Sequence, residues 1–102
     1  MAKVLHKYVS KDYSEVNMNF FCPGCGYDHS YRIQGKGPTW NWDGKMDKPT
    51  FTPSLLVNQS HPKSTCHLYV RDGVIEFLGD CHHSLKGKKV EMVPLDEQGE
   101  RS

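Results

Sequence analysis

The sequence predicts an all-β protein: a small single-domain β-sheet or sandwich with a zinc-ribbon-like metal site. Glycine and proline recur every few residues over most of the chain, and no window carries the i, i+3, i+4, i+7 apolar spacing of an amphipathic helix. Short runs of β-branched and aromatic residues alternate with turn signals instead. Hydrophobic residues make up 36% of the 102. That is thin material for a free-standing core, and the four cysteines offer a metal to tie it.

Strands are predicted at residues 4–9, 16–22, 30–34, 50–58, 66–71, 74–78 and 89–93, each bounded by Gly, Pro, Asp, Asn or Ser. One helical turn is expected around residues 81–85. No linker divides the chain, so residues 1–102 read as one domain, with the polar end 96–102 expected to fray as a disordered tail. The sharpest local signal is Asp72-Gly73 between two alternating runs, which favours a type I′ hairpin turn. Pairing Arg71 with Val74 sets Val70 opposite Ile75, Leu68 opposite Phe77 and Cys66 opposite Gly79 on a core-facing side. The same parity carries Cys81 and His83 to the open end beside Cys66. The other face presents His67, Tyr69, Glu76, Asp80 and His82 to water or a ligand.

Cys22-Pro23-Gly24-Cys25-Gly26 has the form of a zinc knuckle, in which a tight turn brings two sulfurs to one tetrahedral ion. A redox reading of Cys-x-x-Cys requires a helix after the second cysteine, and none is predicted. Cys66 and Cys81 from the hairpin complete a site of four thiolates, with His83 or His67 as alternatives to Cys81. One structural Zn²⁺ would then join the first third of the chain to the last. A catalytic zinc would keep three ligands and an open position. His29, His67, Asp80, His82 and His83 supply material for that, but their spacing matches no metallohydrolase signature.

Both tryptophans fall in Trp40-Asn41-Trp42-Asp43-Gly44, followed by the proline-rich Pro49-Thr50-Phe51-Thr52-Pro53-Ser54. Alternating Trp-x-Trp puts both rings on one side of a strand, where they can pack on the core or receive a partner. Trp42 is expected to be packed and Trp40 more exposed. Together with His67 and Asp80 they form the candidate partner-binding surface. The formal net charge of +1 leaves nucleic acid a weak second choice, resting on Lys86-Gly87-Lys88-Lys89. No apolar run reaches membrane-spanning length and the start has no signal-peptide pattern, which places the expected site of action in the cytoplasm.

From Phe21-Cys22-Pro23-Gly24-Cys25-Gly26 through His29, Trp40-Asn41-Trp42-Asp43-Gly44, Pro49-Thr50-Phe51-Thr52-Pro53-Ser54 and Cys66-His67 to Asp80-Cys81-His82-His83, the order of motifs resembles a family of small phage and prophage proteins of unknown function. Many of these carry the label "ammonia monooxygenase", a membrane chemistry that no segment here supports. The resemblance implies a phage or prophage origin, the bacterial host cytoplasm and a metal-binding motif set, but no activity. The expectation is therefore a zinc-binding module that engages a host or phage protein without catalysis. The alternative is a small metal-dependent hydrolase or nucleotide-processing enzyme using His67, Asp80 and His83.

Overall fold

In the computed structural model, which describes residues 3–58, 60–61 and 63–95, the strands among those residues form two antiparallel sheets. The first has the order β1 (His6–Val9), β2 (Val16–Cys22), β3 (Tyr27–Gln34). The second runs β4 (Asn41–Trp42), β5 (Phe51–Val57), β6 (Cys66–Arg71), β7 (Val74–Phe77), β8 (Lys89–Glu91), each beside its neighbour in sequence. The all-β expectation holds. The predicted helical turn at residues 81–85 is irregular chain and hydrogen-bonded turns, and the expected frayed tail 96–102 lies outside the described residues. β4 has no predicted counterpart, since two residues are too few to leave an alternating pattern.

β3 starts three residues earlier than predicted because the Cys22–Cys25 knuckle is itself the β2–β3 turn, closing on the Cys22↔Tyr27 pair. Register then decides which β3 side chains turn inward. Phe20 faces His29 and Met18 faces Tyr31, so Met18, Phe20, Cys22, His29 and Tyr31 share one face of the sheet, and all five are buried. That face meets the second sheet across the Tyr31–Phe51 stack, whose ring centroids are 3.9 Å apart and nearly parallel. Trp40 packs edge-on to Tyr31 and Trp42 stacks on Phe51. Both indoles are half-buried, and Trp42 is packed as expected.

The Asp72-Gly73 turn has φ of 51° and 78°, positive at both positions as a type I′ turn requires. The β6–β7 pairs are Arg71↔Val74, Val70↔Ile75, Tyr69↔Glu76 and Leu68↔Phe77, the expected register. The expected Cys66–Gly79 pair does not form. After one further bond, Leu78 N–H to the His67 carbonyl (2.9 Å), the chain turns on itself through Cys81 N–H to the Leu78 carbonyl. A second irregularity lies in β5. Its pairs with β6 jump from Phe51↔Val70 to Leu55↔Leu68, so Thr52, Pro53 and Ser54 stand against Tyr69 alone, a bulge that re-aims the side chains it carries.

Candidate active site and metal centre

Cysteines and histidines from both sheets converge on one region. Ligating atoms of Cys22, Cys25, His29 and Cys66 all lie within 4.8 Å of one another. Cys22 and Cys25 come from the knuckle, where the Cys25 amide points at the Cys22 sulfur (3.4 Å). His29 comes from the inward face of β3, and Cys66 opens β6. The expected quartet of thiols therefore does not gather as one set. His29 stands with the first three, while Cys81 groups with Cys66 and His83, and Cys25 also groups with His82 and His83.

These residues could hold a metal ion, and two observations fit one. His29 Nε2 is buried with no hydrogen-bond partner, a costly state for an imidazole nitrogen unless something else occupies its lone pair. The sulfurs also compete for charge. A hydrogen bond from Cys66 holds Cys22 down at about 4, the same contact with burial pushes Cys66 up, and burial pushes Cys25 up to about 11. Three thiolates this close cannot coexist without a cation among them. His83, also proposed as a ligand, lies edge-on to Phe77 at 4.5 Å and has Nε2 3.5 Å from the Cys66 sulfur. Burial lowers its pKa, favouring the neutral ring.

The polar face of the hairpin holds a second constellation. Ser54 Oγ lies 3.1 Å from His67 Nε2, and His67 Nδ1 lies 3.2 Å from Asp80 Oδ2. With the proton on Nδ1, His67 donates to the carboxylate and offers Nε2 as acceptor to the serine hydroxyl. The sequence placed His67 and Asp80 on one face but did not single out Ser54. The β5 bulge and the β5–β6 pairing Leu56↔His67 bring it there. Ser54 and His67 are half-buried, whereas the Asp80 side chain is 56% exposed, so the triad opens to solvent at its acidic end. Trp40 is tied to the same place, its indole N–H donating to the Ser54 carbonyl at 3.1 Å. Trp42 donates instead to Lys45. No metal-ligand grouping among the described residues includes His67 or Asp80, and His83 groups with Cys66 and Cys81 and with Cys25 and His82.

Among the described residues no helix is long and apolar enough to cross a membrane. Neither a curated protein nor a solved structure matches the chain. A family model does match, over residues 2–78, ending just short of Asp80. The match covers more than half of the chain, and the chain belongs to the bacterial ubiquitination-like system serine protease (BubE) family.

Proposed function

We propose that this protein is a serine peptidase in which Ser54 is the nucleophile, His67 the general base and Asp80 the group that orients His67. The observation that carries the reading is the unbroken line from Ser54 Oγ to His67 Nε2 and from His67 Nδ1 to Asp80 Oδ2, at 3.1 and 3.2 Å. A serine hydroxyl is a weak nucleophile until an adjacent base takes its proton as it attacks. Ser54 Oγ adds to the scissile carbonyl carbon while His67 Nε2 accepts the hydroxyl proton. His67 then passes that proton to the departing amine, the C–N bond breaks, and an ester to Ser54 remains. Water, deprotonated by His67, hydrolyses the ester and restores the hydroxyl. Asp80 holds the imidazole in the required tautomer and stabilises its charged form.

The substrate we assign is a protein component of a bacterial ubiquitination-like system, cut in the bacterial cytoplasm, and the family's description as a serine protease of such a system supports the choice of a protein substrate. All four cysteines are free, in keeping with a reducing compartment. The binding surface expected from Trp40, Trp42, His67 and Asp80 becomes the substrate side of the enzyme, and the expected protein partner becomes the polypeptide that is cut. Zn²⁺ is the ion we assign to Cys22, Cys25, His29 and Cys66. Three sulfurs and one nitrogen suit its tetrahedral preference, and four protein ligands make a closed, structural site. Its contribution is to tie the knuckle to β6, and catalysis stays with the triad.

A fluorophosphonate probe tests the assignment. The protein should gain one probe mass, mapped by peptide sequencing to Ser54, and both Ser54→Ala and His67→Ala should prevent it. Labelling that persists in Ser54→Ala would remove the triad from consideration.

A further inference from the structure

Cys81 is buried, 5% exposed, and its sulfur meets the backbone of the proposed general base twice. The His67 N–H donates to Sγ at 3.2 Å, and the thiol donates to the His67 carbonyl at 3.1 Å. The cause lies in the hairpin. Because β7 leaves the ladder after Phe77, the backbone beyond Leu78 turns away from the start of β6, and a side chain takes up the His67 N–H and adds a second donor to the His67 carbonyl, which the Leu78 N–H already reaches. The His82 N–H, bonded to the Thr65 carbonyl at 2.9 Å, fixes the next residue to the chain just ahead of β6. Asp80, the neighbour of Cys81, reaches the His67 ring from the same segment. The thiol on residue 81 thus grips the backbone of the residue whose ring is gripped by the carboxylate on residue 80.

Resting on the triad reading above, we infer that Cys81 is a positioning residue for His67 and not a metal ligand. The two roles exclude each other, since a metal-bound sulfur has given up its proton and cannot donate to the His67 carbonyl. A catalytic base needs its backbone held as firmly as its ring, because misplacement by about 1 Å can cost roughly 10²-fold in rate. The sulfur sits near Cys66 and His83 because His67 follows Cys66 in the chain. That proximity accounts for its resemblance to a ligand.

The test uses the full-length, metal-containing protein and its Cys81→Ala and Cys81→Ser variants. Three quantities are read: metal per chain, the rate of Ser54 labelling by a fluorophosphonate, and kcat and KM for p-nitrophenyl acetate. Cys81→Ala should keep the parent metal content, lose roughly 10- to 100-fold in kcat and labelling rate, and hold KM within about two-fold. Cys81→Ser, whose hydroxyl can donate and accept in the same place but ligates zinc poorly, should keep the metal and recover most of the rate. Lower metal content in either variant overturns the inference by making Cys81 a ligand. Unchanged labelling in Cys81→Ala, or a serine variant as slow as the alanine one, also overturns it. If the alanine variant does not fold, the metal content and rate of the serine variant decide alone. A parent protein labelled no faster than Ser54→Ala removes the triad itself, a failure separable from one confined to Cys81.

Discussion

A serine hydroxyl owes its reactivity to what stands beside it, and Ser54 has a histidine nitrogen at 3.1 Å. Ser54→Ala should therefore lower turnover of p-nitrophenyl acetate by about 10³-fold or more while leaving the circular dichroism spectrum unchanged. Asp80→Asn should cost about 10²- to 10⁴-fold in kcat, through loss of the tautomer that points Nε2 at the hydroxyl. The low end is expected because water reaches the Asp80 carboxylate, 56% exposed, and screens the charge it places beside the imidazolium. The nearness of His67 and Asp80 was legible in the sequence because the Asp72-Gly73 turn folds the segment carrying one back on the strand carrying the other, although Asp80 reaches the ring from the turn after β7 and not through the strand period. Ser54 was not: no Gly-x-Ser-x-Gly elbow marks it, and the preceding Pro53 reads as edge-strand stiffening.

At the level of elements, the β6–β7 hairpin brings residues 67 and 80 together, so its turn is a lever on the site. Gly73 has φ +78°, and a Cβ there would meet the Lys48 backbone at 3.0 Å. Gly73→Ala should cost about 1–2 kcal/mol from the left-handed conformation alone, read as a lower urea midpoint with unchanged slope. The knuckle presents a different constraint. A Cβ on Gly24 would fall 2.3–2.5 Å from three atoms of the His83 ring, too close for the ring to stay in place. Gly24→Ala should lower Tm by about 5 °C or more, followed by calorimetry. The hairpin register was legible from Asp72-Gly73 alone. The exit of β7 after Phe77 was not, because the bonds that end the ladder run from residues 81 and 82 to residues 65 and 67.

For the whole molecule, two small sheets share one core, joined by the Tyr31–Phe51 stack and by the Cys22, Cys25, His29 and Cys66 cluster. Phe51 is fully buried, and Phe51→Ala should cost about 3–5 kcal/mol, measured by denaturant unfolding. Chelation should act on stability and catalysis together. Cys66, in the cluster, is followed directly by His67, and a loosened β6 displaces the base. With zinc in this site, elemental analysis gives one ion per chain, and its removal by a strong chelator lowers Tm and slows Ser54 labelling in parallel. A chelated protein that kept its full labelling rate would show the two centres to be independent.

By itself the sequence determined what short-range rules can carry: the all-β class, the hairpin and its register, the Cys22–Cys25 knuckle, and the nearness of His67 and Asp80 that the hairpin turn imposes. Each follows from a turn signal or a two-residue period spanning a few positions. Tertiary structure alone decided that His29 joins the three thiols, that Cys81 turns to the backbone of His67, and that Ser54 lies against the imidazole. Those outcomes depend on which strand pairs with which, and on bulges where pairing slips. Such pairings are fixed by burying one common core, and no local run of residues encodes them.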